Sequence, residues 1–188
     1  MIKLNFLGTG QAVPTAKRNH TAIFFQYKDE GILLDCGEGT QRQFRIAKLN
    51  PCKITRILIT HWHGDHVLGL AGLLQTLTLN RYDKLLHVYL PKGTAEFFQE
   101  LRRLFVPVGR LNIEIHEAEG KFFENADFYL ETFKLEHGIP TNSYSFVEKD
   151  KLKIDKKKMK KLKLKQGPLI GELKRGKSIK YNGKIIKP

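Results

Sequence analysis

The sequence predicts an α/β fold, in which helices cover a β-sheet, over residues 1–148. Short apolar or alternating runs typical of strands recur along this part of the chain, and longer amphipathic segments typical of helices lie between them. The 188 residues are enough for one domain with an appendage. No internal repeat is visible in the sequence.

Eight segments have the composition of strands. The first alternates in polarity and stops at a glycine-containing loop, and a short polar turn between the second and third predicts a hairpin. The fourth is a compact apolar run typical of a buried strand. In chain order the predicted strands are Ile2–Leu7, Thr21–Tyr27, Ile32–Asp35, Ile57–Thr60, Leu85–Leu90, Ile113–His116, Phe128–Leu135 and Ser143–Val147.

Three segments are predicted to be helices. Thr40–Leu49 mixes apolar and polar residues and ends just before a proline, which cannot continue a helix. Val67–Leu79 is rich in leucine and has the length of a helix. Thr94–Phe105 completes the set, and the Thr94 hydroxyl is expected to cap its first turn.

The basic charge of the chain is concentrated at one end. The formal net charge is +14, of which residues 149–188 contribute +13 through sixteen Lys and Arg against three acidic residues. We expect a boundary near residue 149, followed by a projecting basic arm with a loosely amphipathic helix and too few apolar residues for its own core. Such charge attracts phosphate groups. A solvated tail and an anionic membrane surface are the alternatives.

The remaining composition favours a soluble protein of the cytoplasm. Two cysteines, Cys36 and Cys52, cannot form a disulfide framework, which favours a reducing compartment. The alternating residues at the amino terminus do not resemble a signal peptide, and no apolar run approaches the roughly 20 residues of a membrane span.

Three imidazoles and a carboxylate follow the fourth predicted strand, in the hexapeptide His61–His66. A loop at the end of a buried strand can direct neighbouring side chains into one small volume, whereas a continuing strand would send them to opposite faces. Imidazole and carboxylate are ligands that zinc accepts in proteins. The spacing therefore predicts a zinc site, against the alternative of unrelated polar residues on a surface loop.

Several motifs, in register along the chain, resemble one family. The hexapeptide is the H-x-H-x-D-H signature of the metallo-β-lactamase superfamily, and its surroundings resemble ribonuclease Z, a zinc phosphodiesterase that trims the 3′ end of precursor tRNA. The motifs that carry this resemblance are Phe6–Gly10, Arg18–Thr21, Leu34–Gln43, Thr60–His66, Leu135–Pro140 with Tyr144, and Gly167–Gly176.

The resemblance implies a metallo-β-lactamase-type αβ/βα sandwich, with residues 1–148 as an incomplete catalytic domain. It implies one zinc ion held by His61, His63 and His137, and a second held by Asp65 and His66. Asp65 is also implied as the catalytic proton acceptor. Two adjacent metal ions can activate water and hold a phosphodiester for in-line attack, which agrees with that activity.

The resemblance also implies partners for the chain. Residues 149–188 correspond to the arm by which the family holds tRNA, and the family is usually a homodimer. The residues implied to bind RNA are Gly167, Pro168, Lys174 and Arg175.

The predicted ligand set is smaller than two zinc ions require. Five donors are present, whereas two four-coordinate ions with one shared ligand need about seven. In the family, a bridging aspartate and two further histidines lie beyond the arm, but no histidine follows His137 here. A fragment, a truncated reading frame or a split protein would each explain this.

Three functions therefore remain open from the sequence. The first is a ribonuclease Z. The second is another hydrolase of the superfamily, such as a glyoxalase II-like thioesterase or an arylsulfatase-like phosphodiesterase, although neither needs a strongly basic arm. The third is a tRNA-binding remnant without catalysis.

Other candidate residues have simpler interpretations. Asp35 could hydrogen-bond a zinc histidine or cap a turn. His20, His87 and His116 stand alone in the sequence and are predicted to be surface or packing residues.

Overall fold

The structure, a computed structural model, describes residues 1–105 and 109–188 and divides them into two compact units. The first unit comprises residues 1–125 and 129–146, and the second comprises residues 126–128 and 147–188. The strands are β1 (Ile2–Gly8), β2 (Ala22–Tyr27), β3 (Glu30–Leu34), β4 (Arg56–Leu58), β5 (Leu85–Leu90), β6 (Asn112–Glu117), β7 (Gly120–Glu124), β8 (Phe128–Leu135), β9 (Thr141–Glu148), β10 (Ile179–Tyr181) and β11 (Lys184–Ile186). The α-helices are α1 (Thr40–Ile46), α2 (Gly64–Val67), α3 (Leu70–Leu79), α4 (Ala95–Arg103), α5 (Lys156–Lys161) and α6 (Pro168–Lys174).

The first six strands form one mixed sheet in their chain order. Strands β1, β2 and β3 pair antiparallel, as the predicted hairpin requires, whereas β3 to β6 pair parallel. Parallel neighbours need a crossover connection, and helices α1, α3 and α4 lie in those connections. The α/β prediction is confirmed.

The core of the first unit lies between this sheet and its helices. Its side chains come from alternate positions of the strands and from the apolar stripes of the helices. Those that are completely buried include Phe24, Leu33, Phe44, Ile57, Leu70, Leu73, Leu77, Leu86 and Phe98.

A second sheet of β7, β8 and β9 packs on the other face of the first. Aromatic rings make this contact: the ring centroids of Phe25 and Phe146 are 4.5 Å apart, and those of Tyr89 and Phe122 are 4.6 Å apart. Helices, sheet and second sheet are successive layers of the αβ/βα sandwich expected from the resemblance. The sequence prediction missed β7, which is short and mostly polar or glycine at its ends.

The predicted helix Val67–Leu79 is interrupted at Gly69. The amide of Gly69 donates to the carbonyl oxygen of Cys36 at 2.9 Å rather than to the carbonyl four residues earlier. A Cβ on Gly69 would lie 2.0 Å from the carbonyl oxygen of Gly37. The interruption therefore brings the backbone of residues 36 and 37 directly against the start of α3.

The predicted capping role of Thr94 is wrong. Its hydroxyl donates to the carbonyl oxygen of Pro91 at 2.6 Å. The first turn of α4 is capped instead by Glu117, whose carboxylate accepts hydrogen bonds from the amides of Gly93 and Ala95 at 2.9 and 3.1 Å. A residue distant in sequence has taken the place of the local cap.

The second unit has more structure than the sequence analysis expects. Helices α5 and α6 and the antiparallel pair β10–β11 surround a small cluster of buried apolar side chains, which corrects the expectation that this segment has no core of its own. The cluster consists of Leu164, Ile170, Leu173 and Ile179. Asp155 caps α5 by accepting hydrogen bonds from two backbone amides. No helix among the described residues is long and apolar enough to cross a lipid bilayer.

Replacing Phe44 with alanine should lower the free energy of unfolding by about 3–5 kcal/mol, because the ring is completely buried and lies edge-on to Phe24 at 5.0 Å. On the same helix, Ile46 is 57% exposed, so Ile46→Ala should cost less than about 1 kcal/mol. Urea unfolding followed by circular dichroism measures both variants. Equal destabilisation by the two substitutions would contradict this placement of α1.

Candidate metal centre

The predicted ligands converge at the edge of the main sheet where parallel strands end. Strand β3 runs directly into Asp35, and β4 is followed by the metal loop, residues 61–66. His137 lies in the connection between β8 and β9. The amide of Asn142 donates to the carbonyl oxygen of Thr60 at 2.9 Å and so joins this connection to the residue before the metal loop. Carboxyl ends of parallel strands are a common location for binding sites.

Three imidazoles meet at this edge, from His61, His63 and His137. The ring of His137 lies 4.7 Å from that of His61 and 5.2 Å from that of His63, measured between centroids. One nitrogen from each ring lies within 4.8 Å of the others, and Nε2 of His61 is 3.1 Å from Nδ1 of His63. Ligand atoms of tetrahedral zinc lie roughly 3.3–3.4 Å apart. The three residues therefore fit a single cation after small adjustments.

Partly buried hydrogen bonds orient two rings of the metal loop. The Asp35 carboxylate accepts from the amide and hydroxyl of Thr60 at 2.8–3.0 Å and from Nδ1 of His66 at 2.7 Å. Because the Thr60 hydroxyl gives its proton to Asp35, its oxygen can accept from Nδ1 of His61 at 2.9 Å. Both imidazoles then carry their proton on Nδ1 and keep Nε2 free as a ligand. Of the two roles considered for Asp35, the structure supports the hydrogen bond to a metal-loop histidine.

Asp65 and His66 form a second pair of donors. Oδ2 of Asp65 lies 3.4 Å from Nε2 of His66 and accepts a hydrogen bond from the amide of Ala12 at 2.9 Å. Burial acts to raise the pKa of Asp65, but the Ala12 amide and the neighbouring His66 outweigh it and hold this pKa below its ordinary value. The carboxylate is therefore ionised at neutral pH and can accept a proton or bind a cation.

The imidazoles of His61, which is buried, and His66, which is half-buried, differ in their affinity for protons. Burial, followed by the charge of His66, lowers the pKa of His61 to about 4. Burial also acts to lower the pKa of His66, but the hydrogen bond and charge of Asp35 raise it above its ordinary value. His61 is thus neutral at pH 7, which leaves its lone pair available to a metal.

The backbone of residues 36 and 37 packs closely against the metal loop and supports it. The amide of Cys36 donates to the carbonyl oxygen of His66 at 2.7 Å. A Cβ on Gly37 would lie 2.4 Å from the carbonyl oxygen of Asp65 and 2.3 Å from Cβ of His20. Only glycine fits at position 37 without displacing the metal loop.

A cavity of about 670 Å³ opens beside His137. Its walls come from the ends of β5 and β6 and from the β8–β9 connection, and their charged residues other than His137 are Lys92, Glu119, Lys134 and Glu136, with Lys92 and Glu119 paired at 3.5 Å. The cavity therefore places a candidate metal ligand beside charges of both signs.

The four residues implied to bind RNA lie at opposite ends of α6. Gly167 and Pro168 begin the helix, where proline is well tolerated, and Lys174 and Arg175 end it. These two pairs are separated by about 10 Å along the helix axis. Arg175 forms an ion pair with Glu172 one turn earlier.

Sequence reasoning missed Thr60 and Ala12 as supports of the site. The threonine hydroxyl acts through its neighbours, and Ala12 contributes only a backbone amide, which no residue pattern reveals. His20 is buried, and neither of its ring nitrogens has a hydrogen bond within the described part of the chain. His87 and His116 stand alone in the sequence, but strand pairing brings their ring nitrogens to 3.2 Å. Both are partly buried, which agrees with the prediction that they are surface or packing residues.

Replacing Asp35 with asparagine should weaken zinc binding at the metal loop by about 10–100-fold, because its carboxylate orients His61 through Thr60 as well as His66 directly. Asparagine tolerates the left-handed conformation of Asp35 (φ 56°), so the backbone should be kept. Its amide, however, would donate towards Nδ1 of His66 and force the proton onto Nε2. Zinc affinity measured by competition with a chelating dye tests this. The exposed Asp29→Asn is the control, and equal affinities for both variants would argue against the role of Asp35.

Comparisons with known proteins find relatives that match the whole chain. A family model described as "Anti-Pycsar protein Apyc1" matches residues 2–157. Ribonuclease Z of Thermococcus kodakarensis is 44% identical over 188 residues, which is all of this chain but 60% of the relative. The chain thus spans about 60% of the length of the curated relatives it matches.

Solved structures show the same fold. The short form of human tRNase Z is 33% identical, with a TM-score of 0.72 over 79% of this chain and 64% of that protein. The metallo-β-lactamase fold protein YhfI of Bacillus subtilis, 18% identical, has a TM-score of 0.64 over 78% of this chain and 57% of that protein. The chain therefore belongs to the family described by the Apyc1 model, has the metallo-β-lactamase-type fold of its structural neighbours, and is similar along its whole length to proteins named ribonuclease Z.

Proposed function

We propose that the chain is part of a zinc-dependent endoribonuclease that removes the 3′ trailer from precursor tRNA and leaves a 3′-hydroxyl. The observation that carries the proposal is the three-histidine cluster beside the Asp65–His66 pair, in a chain whose last forty residues carry a net charge of +13. The names of the relatives point to the same substrate. The resemblance adds a homodimer as the working form.

The proposed ligands are those implied by the sequence. His61, His63 and His137 would hold one zinc ion, and Asp65 with His66 would contribute to a second. When bound, the metal would supply the Lewis acidity that activates water and stabilises charge on a phosphodiester. Asp65 would accept the proton of the attacking water, since its carboxylate is ionised and tethered by the Ala12 amide.

Substrate binding would be divided between the two units. Lys134, which lines the cavity beside His137, would contact a phosphate close to the reaction, whereas the charge of Lys92 is matched by Glu119. Residues 149–188 would supply most of the affinity through their many lysines, in a manner that depends strongly on salt.

The basic segment, residues 149–188, also helps to choose among the three functions left open by the sequence. The similarity to ribonuclease Z continues through all of residues 149–188, whereas a hydrolase of small thioesters or phosphodiesters has no use for that charge. The preserved and oriented metal loop argues against a remnant that only binds tRNA, because binding alone would not require His61 and His66 to share the Thr60–Asp35 network.

At the metal centre formed by the metal loop and His137, a polypeptide of residues 1–188 should bind at most one zinc ion tightly, and it should not cleave precursor tRNA. Its second metal position has only two donors, Asp65 and His66, and two ligands hold zinc poorly against water. Adding the carboxy-terminal part of the Thermococcus kodakarensis relative, beyond the aligned region, should restore a second zinc ion and cleavage. Atomic spectroscopy measures the metal content, and a gel assay measures release of the 3′ trailer.

Two variants make this experiment more specific. They are made in the complemented protein, which is residues 1–188 together with the added carboxy-terminal part. Asp65→Ala should reduce cleavage by at least about 10²–10⁴-fold with little change in tRNA affinity, whereas the exposed Asp83→Ala should change neither. Two zinc ions at this metal centre, both lost when His61, His63 and His137 are replaced, together with efficient cleavage by residues 1–188 alone, would contradict the donor count. A complemented protein with both zinc ions but no trailer cleavage would contradict the proposed function.

Removing positive charge from α5 should weaken tRNA binding and reduce its salt dependence. Each lost phosphate contact lowers the slope of log affinity against log salt by about 0.7–0.9, so four substitutions should lower it by up to about 3. Asp155 still caps the helix, so its structure should be kept. The variant replaces Lys157, Lys158, Lys160 and Lys161 with glutamine, and the matched control does the same to Lys3, Lys17, Lys48 and Lys84. An equal loss of affinity in both would assign binding to net charge rather than to this segment.

A further inference from the structure

A second group of metal-ligating side chains lies away from the metal loop, on neighbouring strands of the main sheet. His87 on β5 pairs in register with Glu114 on β6, and His116 follows two residues later on the same strand. Because side chains two apart on a strand share a face, all three project from the same face of the sheet. His116 and Glu114 are 36% and 54% exposed, so solvent and ions can reach them.

The three donor atoms form a nearly equilateral triangle. Nδ1 of His87 lies 3.2 Å from Nε2 of His116 and 3.3 Å from Oε2 of Glu114, and the latter two atoms are 3.6 Å apart. The edges of a tetrahedral zinc site with bonds of about 2.0–2.1 Å measure roughly 3.3–3.4 Å. The triangle thus has the dimensions of three corners of such a site.

Hydrogen bonds among the three atoms leave at least one of them to solvent or to an ion. An ionised carboxylate only accepts, and each ring nitrogen either donates one proton or accepts one. If both nitrogens donate to Glu114, two N–H groups face each other at 3.2 Å; if one donates to the other nitrogen, neither has a proton left for the carboxylate. A cation between the three atoms would satisfy all of them at once.

The surroundings favour a cation and hold the rings in place. Arg56 pairs in register with His87, but its charge is matched by an ion pair with Glu30, which leaves Glu114 to supply negative charge. The ring of Tyr89 stacks on that of His116, with centroids 4.7 Å apart and planes at 18°. The imidazole is therefore held by packing before any ion binds.

We infer that His87, Glu114 and His116 form a binding site for a zinc-like first-row transition cation, separate from the metal loop. Two imidazoles with one carboxylate form a ligand set known for zinc, and water would complete the tetrahedron. Magnesium and calcium prefer all-oxygen sites and would not compete. The site would fasten the edge strand β6 to β5, so its occupancy should stabilise the first unit. It does not depend on the proposed nuclease function.

Cobalt(II) titration of residues 1–188 tests this inference, because tetrahedral cobalt absorbs visible light. His87→Ala and His116→Ala should each remove one bound cobalt ion per chain and the corresponding absorption, even in excess magnesium. Both should also lose part of the rise in melting temperature that the metal causes. Asn112→Ala, on the same strand and face but outside the triangle, is the control and should leave both readouts unchanged.

A variant without the three histidines of the metal centre isolates the site formed by His87, Glu114 and His116. With His61, His63 and His137 all replaced by alanine, one cobalt ion should remain bound, and adding His116→Ala should remove it. If the triple variant fails to fold, the difference in bound cobalt per chain between wild type and His116→Ala is sufficient to test the inference. Unchanged cobalt content in both His87→Ala and His116→Ala would overturn the inference, as would an equal loss in Asn112→Ala.

Discussion

The hydrogen bonds accepted by the buried Asp35 carboxylate are the constraint on which the rest of the metal centre depends. They hold Thr60 directly and His61 through the Thr60 hydroxyl, and they set the protonated nitrogen of His66. Asp35 can reach all of these groups because β3 and β4 run parallel and end at the same edge of the sheet. Sheet topology, more than any single ligand, therefore determines which imidazole nitrogens face a cation.

The two units divide the physical tasks of the proposed enzyme. The first is close to neutral over residues 1–148 and holds oriented donors, whereas residues 149–188 carry most of the positive charge. A catalytic site crowded with lysine would repel metal ions and disturb the pKa of nearby carboxylates. Placing the charge in another part of the chain lets affinity for an anionic polymer change without altering the metal ligands.

Much of the fold is readable from sequence because strands and amphipathic helices leave local periodic patterns. Interactions between distant segments leave no such pattern, and several errors of the sequence prediction concern those interactions. The helix predicted at Val67–Leu79 is interrupted because Gly69 meets another backbone, and α4 is capped by Glu117 from a later strand. The hexapeptide His61–His66 is visible because its four donors lie within six residues, whereas the triangle containing His87 is formed only by strand pairing.

The first metal position also joins parts of the chain that are made at different times. His61 and His137 are 76 residues apart, and the Asn142–Thr60 hydrogen bond that brings them together requires both sheets. At a synthesis rate of about 5–20 residues per second, the earlier histidines emerge roughly 4–15 s before the later one. During that interval, the nascent chain has His61 and His63 but not His137, so only two of the three ligands are available to a metal ion. An ion that binds at that stage would have to remain bound while the second sheet packs against the first.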